Sequence, residues 1–253
     1  MELENKNIII TGASSGIGAA AARLFAREGA NVVLGARRQR ELTILAQEIN
    51  RERGGRAVLL SGDVSDPSYA SSLVELARQE FGGLDGAFNN AGIVGQMAPI
   101  ATMSIENWNA VVAVNLTAAF HAARAQIPAL QQRGGGAIVF TSSFVGFSNG
   151  GLPGMSAYAA TKAGLNGLVQ SLAAEHAPDR IRINALLPGG TITPAGGEGN
   201  SEVLAFVSGL HPMKRMAQPQ EIAQAALFML SDRSGFMTGS PMVVDGGMSV
   251  RLL

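Results

Sequence analysis

No cysteine occurs among the 253 residues of this chain. That removes disulfides, thiolate nucleophiles and cysteine-rich zinc sites from consideration. Charge is scarce as well: Asp, Glu, Lys and Arg make up 15%, against roughly 25% in an average soluble domain. The 19 basic and 19 acidic residues cancel, so no net field favours nucleic acid or an acidic membrane surface. No apolar run approaches the about 18 residues that a membrane-spanning helix needs, and residues 1–6 lack the basic start of a signal peptide. The expectation is a cytoplasmic protein with neither a membrane nor a nucleic-acid partner. Histidine is rare, and His121, His176 and His211 match no metal-ligand spacing. No metal is expected, and the three are read as helix-surface or cap residues.

Glycine and small aliphatic residues fill the space that charge leaves, with 32 glycines and 47% hydrophobic residues. The length fits one large α/β domain spanning 1–253, with no linker and no internal repeat. Alanine-rich helical stretches at 118–125 and 157–174 suit helix-to-helix contact between subunits.

Residues 7–18 pass from Ile8-Ile9-Ile10 through Thr11-Gly12-Ala13-Ser14-Ser15-Gly16-Ile17-Gly18 into an alanine-rich helical pattern. Strand, turn and helix follow in that order. Glycines permit backbone angles and close approaches that a Cβ forbids, and free N–H groups at a helix start attract phosphate. The spacing is Gly-x-x-x-Gly-x-Gly, not the general Gly-x-Gly-x-x-Gly fingerprint. On these residues alone a nucleotide cradle and an ordinary glycine-rich turn both stand.

Further along, strands are predicted at 31–36, 56–60, 84–89, 137–140, 181–187 and 242–244. Helices alternate with them at 38–53, 66–81, 104–133, 156–176, 201–210 and 219–230, with Asp66 and Ser104 read as caps. Nearly all-apolar strands joined by helices of crossover length predict a doubly wound (Rossmann) parallel sheet of about seven strands with helices on both faces. Its ligand site would lie beyond the carboxyl ends of the strands, where residues 11–18, 63, 89–92, 142–143 and 188–189 fall.

Tyr158 and Lys162 stand four residues apart, on one helical face. A positive charge beside a phenol favours phenolate, so such a tyrosine can take a proton from an alcohol or return one to a carbonyl. The same spacing also fits an exposed polar face. Ser142 and Ser143 end a buried strand at the same sheet edge, and Asn115 interrupts the apolar run Val111, Val112, Val114, Leu116. An amide within such a run needs a partner.

Taken in order, Thr11-Gly12-x-x-x-Gly16-Ile17-Gly18, Asp63-Val64, Asn89-Asn90-Ala91-Gly92, Asn115, Ser143, Tyr158-x-x-x-Lys162, Pro188-Gly189 with Thr193, and Val244-Asp245-Gly246-Gly247 resemble the short-chain dehydrogenase/reductase family in its short, single-domain branch. The resemblance covers nearly the whole chain. It implies hydride transfer between a nicotinamide and a small-molecule carbonyl or alcohol, the cofactor carrying the hydride. Tyr158 would be the general acid/base, and Lys162 would lower its pKa and hold the nicotinamide ribose. Ser143 would steady the substrate oxygen, and Asn115 would hold a water in the proton path. Gly12, Ser14, Ser15, Gly16, Ile17 and Gly18 would cradle the phosphates, and Asp63 and Val64 would flank adenine. Asn89, Ala91 and Gly92 would support the central strand and cofactor, and Pro188, Gly189, Thr191 and Thr193 would meet the nicotinamide end. The family's homotetramer, or a dimer, is implied as well.

Two departures stand out. The stretch from Ser143 to Tyr158 is longer than the family's, which keeps Ser142 open as an alternative to Ser143. After Pro188-Gly189 the family usually has an aromatic and then an aliphatic residue, where this chain has Gly190 and Thr191.

An NAD site normally offers a carboxylate at the end of the second strand. Here Ala36 stands there, followed by Arg37, Arg38 and Arg40. Cations at a helix start oppose its dipole, so a purely structural reason for clustering them is weak. NADP(H) is therefore expected, with Arg37 at the 2′-phosphate, and NAD(H) is the alternative.

Two other classes have a foothold in the sequence. Gly146-Phe147-Ser148-Asn149-Gly150, with Asp179 and His211 following, spells a serine-hydrolase order, but a nucleophile elbow needs a strand directly into the serine and a helix directly out. A cofactor-binding regulator without catalysis is opposed by Ser143, Tyr158 and Lys162. The substrate lining is expected from 94–98, 144–155 and 191–212, with a lid at 191–213. Its apolar, small-residue character suits an uncharged or modestly polar ketone: a 3-oxoacyl chain, sugar, steroid or xenobiotic.

Overall fold

Asn7–Thr11 forms strand β1, buried at every position. Ile9 packs on one face, while Ile8 and Ile10 pack on the other, which is why the strand reads as one continuous apolar run. The computed structural model describes residues 1–52, 54–148 and 151–250. Among these, the chain continues through α1 (Gly16–Arg27), β2 (Asn31–Ala36), α2 (Gln39–Arg51), β3 (Ala57–Ser61), α3 (Tyr69–Phe81) and β4 (Gly86–Asn89). Next come α4 (Ile105–Val112), α5 (Ala118–Arg133), β5 (Gly136–Thr141), α6 (Ser156–His176), β6 (Ile181–Pro188), α7 (Ser201–Leu210), α8 (Pro219–Leu230) and β7 (Pro241–Val244).

The strands form one seven-stranded parallel sheet in the order β3-β2-β1-β4-β5-β6-β7. Helices cover both faces: Phe25 of α1, Leu42 of α2 and Ile222 of α8 pack in one core, and Leu73 of α3, Ile127 of α5 and Leu165 of α6 in the other. The direction of winding reverses between β1 and β4, whose ends Thr11 and Asn89 pair side by side. A crevice opens there, at the carboxyl edge.

Three local expectations are corrected. Asp66 does not cap α3; its carboxylate accepts from the Ser68 N–H and hydroxyl, closing a turn, and the helix starts at Tyr69. The helix expected over 104–133 is divided by a π-turn at Ala113–Thr117, which carries Asn115. Ser104 does cap its start, accepting from Asn107 N at 3.1 Å. The predicted second helix ends at Arg51, and Arg53, its predicted last residue, lies outside the described residues.

Arg182 on β6 closes the other end of the molecule. Its guanidinium donates to the carbonyls of Met229, Leu230 and Ser231 and to the Ser234 hydroxyl, at 2.7–3.3 Å. These are the carbonyls that the end of α8 leaves without helical partners. Arg182→Met should lower the unfolding free energy by about 2 kcal/mol, the cost of stranding half-buried carbonyls. A lower denaturant midpoint at constant slope would show it; an unchanged midpoint would refute the capping role.

Candidate active site

The crevice is a continuous cleft of ≈ 1170 Å³ running across the carboxyl edge. At one end lies the glycine turn. Gly12 and Gly16 have φ of +68° and +54°, and a Cβ on Gly18 would sit 2.3 Å from the Gly12 carbonyl oxygen. The first two need left-handed backbone and the third needs contact, so Gly18 acts by packing beneath the cleft rather than by lining it. Helix α1 starts without a side-chain cap and with no acidic residue in its first turn. Its N–H groups are thus left for an anion, and the residues present fit a dinucleotide pyrophosphate.

Arg38 reaches over this turn, its guanidinium donating to the hydroxyls of Ser14 (2.9 and 3.2 Å) and Ser15 (2.6 Å). Arg37, with a side chain 72% exposed, stands 3.9 Å from Asp63. Both arginines line the cleft, whereas Arg40 does not. Asp63 accepts from the Ser65 N–H and hydroxyl, and those bonds hold its carboxyl below the usual range. Val64 stands beside it on the cleft wall.

The central strands add a second layer. The Thr11 hydroxyl accepts from the N–H groups of Asn90 and Ala91, tying β1 to the loop after β4. Asn89 does not reach the cleft. Its amide pairs reciprocally with Gln126 at 2.9 Å, both ways, inside the core. Asn115 is also turned away from the cleft wall: its oxygen accepts from Ile93 N at 2.9 Å, and its NH₂ donates to Ile93 O and to the Thr161 hydroxyl. It borders a small cavity of ≈ 30 Å³ shared with Thr11, Asn89, Gln126 and Thr141, room for one or two waters.

At the far end Ser143, Tyr158 and Lys162 share one wall. The two serines separate clearly: the Ser142 hydroxyl is spent on the Lys162 carbonyl at 2.9 Å, whereas Ser143 lines the cleft with Tyr158, its hydroxyl accepting from Val145 N at 3.4 Å. The buried Lys162 ammonium donates to Thr141 O at 2.7 Å and lies 5.5 Å from the Tyr158 ring centre. Burial pushes it down to about 8. The expected lowering of Tyr158 is not met here; burial pushes the phenol up, and the Ser143 hydroxyl offsets part of that. Lys162 is aimed at the Thr141 carbonyl instead. A Cβ on Gly92 would lie 3.2 Å from the Asn115 oxygen and 3.4 Å from Lys162 Nζ, so the glycine leaves open the space between them.

Gly12, Ser14, Ser15, Gly16, Ile17, Arg37, Asp63, Val64, Ala91, Gly92, Pro188, Gly189, Thr191 and Thr193 all line the cleft, and a Cβ on Gly16 would meet Thr193 at 2.9 Å. Its apolar wall comes from Ile93, Val94, Phe144, Val145, Leu152, Met155, Val207, Leu210 and Met248; residues 95–98, expected there, do not take part. Met248 was missed, since only the fold brings the turn after β7 over the cleft. The hydrolase order is not assembled. Ser148 donates to Ser249 O after a 3₁₀ turn, and Asp179 is bonded to His176 and Gln131. Asn149 and Gly150 of that motif lie outside the described residues.

A parallel sheet with an acid-free helix start at one end of a cleft, and a hydroxyl, a phenol and an ammonium at the other, has the form of a dinucleotide-dependent oxidoreductase. A family model described as Enoyl-(Acyl carrier protein) reductase matches residues 12–249. Cyclohexanol dehydrogenase from Acinetobacter sp. (strain SE19) is 40% identical over 245 residues, 97% of this chain and 95% of that protein. A 2,5-dichloro-2,5-cyclohexadiene-1,4-diol dehydrogenase from Sphingobium indicum (strain DSM 16412) is 38% identical over 248 residues, 98% of each chain. The crystal structure of L-sorbose reductase from Gluconobacter frateurii, complexed with NADPH and L-sorbose, superposes with a TM-score of 0.92 at 35% identity, covering 100% of both chains. This chain belongs to the short-chain dehydrogenase/reductase family and is an oxidoreductase acting on alcohol and ketone groups. The family uses NAD(P)(H). Among the described residues, no helix is long and apolar enough to cross a membrane.

Proposed function

We propose that this protein is an NADP(H)-dependent, cytoplasmic oxidoreductase of small cyclic secondary alcohols and ketones, with Tyr158 as general acid/base. The observation that carries the reading is the single cleft with Arg37, Arg38 and Ser14 at one end and Ser143, Tyr158 and Lys162 at the other. The apolar wall supports an uncharged substrate, and two relatives are named for six-membered cyclic alcohols.

When bound, the nicotinamide supplies or accepts the hydride. The chain's own residues do the rest. Gly12, Ser15, Gly16 and Ile17 would hold the pyrophosphate at the start of α1, and Arg37, Arg38 and Ser14 the 2′-phosphate. Pro188, Gly189, Thr191 and Thr193 would face the nicotinamide end. Ser143 holds the substrate oxygen against Tyr158, which takes the hydroxyl proton in oxidation and returns it in reduction. Lys162 would pass that proton onward through a water in the gap at Gly92, which lies between its ammonium and the Asn115 oxygen.

The test is oxidation of NADPH and of NADH against cyclic ketones, 3-oxoacyl thioesters and sugars. Turnover of cyclic ketones with NADPH is expected; no turnover anywhere in the panel would favour the non-catalytic cofactor-binding reading. Arg38→Leu should raise the KM for NADPH about tenfold and leave that for NADH in place, as one lost charge-assisted contact requires. Equal changes for both cofactors would contradict the phosphate role.

A homotetramer is supported by exposed apolar side chains on α4 and α5, where Ile105 is 73% and Phe120 49% exposed. A monomer in sedimentation at micromolar concentration would contradict it.

A further inference from the structure

Helix α7 lies over the apolar wall of the cleft, and Val207 and Leu210 face into it. Yet none of its residues is fully buried. The residue that ends it is His211, at the cap position that the sequence allowed, but only 2% exposed. Its ring is bonded on both sides. Nδ1 lies 2.8 Å from the Val207 carbonyl of the helix, and Nε2 accepts from the Gly190 N–H at 3.1 Å, in the loop that follows β6. A carbonyl can only accept and an N–H can only donate, so the ring is neutral with its proton on Nδ1.

Gly190 is shaped for this contact. A Cβ there would come within 2.6 Å of Val207 Cγ1 and 2.7 Å of His211 Cε1. Its carbonyl is held from the other side by Ala217 N at 2.9 Å, and Ile192 N bonds Ala217 O, so the base of the lid is pinned independently of the histidine. His211 ties α7 to that base through its two ring nitrogens.

We infer that His211 is a positioning residue for substrate binding, a latch that couples the lid helix to the strand-end loop at Gly190 and so holds Val207 and Leu210 against the substrate. The inference rests on the oxidoreductase reading for its kinetic consequence, but not for the latch itself. The His211 ring touches neither reacting group nor cofactor phosphate; it acts through the two apolar side chains.

An amide in place of the ring separates the two bonds. In His211→Asn the side-chain NH₂ stands near the Nδ1 position and can still serve Val207, while Gly190 N–H loses its acceptor. In His211→Gln the amide extends toward the Nε2 position and can restore that acceptor. His211→Asn should raise the KM for the alcohol about tenfold without a proportional fall in kcat, and His211→Gln should recover part of it. Gly190→Ala leaves the histidine in place but drives it and Val207 apart; it should shift KM in the same direction, and the double variant should not add the two effects.

Amide hydrogen exchange reads the latch without any substrate. In His211→Asn, exchange across 201–210 should quicken about tenfold while residues 8–10 of the central strand stay protected. Equal quickening in lid and sheet, or a lowered kcat at unchanged KM, would mark a merely structural residue and overturn the inference, as would unchanged exchange and KM in both His211→Asn and Gly190→Ala. If the wild-type protein turns over no alcohol or ketone, the oxidoreductase reading fails, and the exchange measurement still decides the latch.

Discussion

Tyr158→Phe is expected to lower kcat/KM by about 10³-fold while the protein still binds NADP(H), since the change removes one hydroxyl and leaves the ring. In the structure Tyr158 lines the cleft with Ser143, and the Lys162 ammonium lies 5.5 Å from the ring centre. Removal of the phenol would strip the substrate of its proposed proton partner but leave Arg37, Arg38 and the start of α1 in place, and these lie at the opposite end of the cleft. Direction of reaction sets the pH dependence. Because burial holds the phenol proton more tightly than usual, alcohol oxidation, which needs the phenolate, should rise steadily toward alkaline pH. Ketone reduction needs the protonated phenol and should be supported at neutral pH. Steady-state kinetics of both directions from pH 6 to pH 10 would check this, and wild-type rates in the phenylalanine variant would remove Tyr158 from the mechanism.

The second large effect concerns stability. Burial pushes Lys162 down to about 8, whereas a lysine in the unfolded chain titrates near 10.4. Below pH 8 the folded state carries a desolvated charge at full cost. Between about pH 8 and pH 10.4 the unfolded chain binds more protons than the folded one, so stability rises with pH across that window, by on the order of 3 kcal/mol. Lys162→Met should lack this rise, and the two unfolding curves should converge or cross as pH increases. Tyr69, which burial pushes up to about 12, and Tyr158, pushed up likewise, act with the opposite sign. Their folded forms keep a proton that the unfolded chain loses near pH 10, so they weaken both proteins equally at higher pH. Parallel wild-type and variant profiles in denaturant titrations from pH 7 to pH 10 would show that the burial of Lys162 carries no such cost.

The legible part of this fold was local chemistry. Strands buried on both faces read as unbroken apolar runs, and the bounds of α6, α7 and α8 are those expected from the pattern. The π-turn at Ala113–Thr117 left only one trace, a polar Asn115 in an apolar run, because the extra residue in that turn is accommodated by contacts to Ile93 and Thr161 from other elements. The same reason hid the burial of His211. Nothing around it in sequence shows that Gly190 offers an N–H to its ring. Arg38 was visible within a cluster of arginines, but its hold on Ser14 and Ser15 depends on how β2 is set beside β1. The distribution of Asn89 and Gln126 into a mutual pair likewise needs α5 laid against β4.

The strand order has a consequence for how the protein is made. As the chain leaves the ribosome, β1, β2 and β3 emerge first and can pair among themselves, but the other side of β1 waits for β4, with Thr11 matched to Asn89. Until then β1 presents Ile8, Ile9 and Ile10 on an open edge, the kind of segment that recruits other strands. Parallel pairing over such separations closes slowly. The nascent chain therefore passes through a window, ended only by synthesis of Gly86–Asn89, in which its most apolar strand is half paired. Ribosome pausing within that window should favour aggregation more than a pause of the same length after β4.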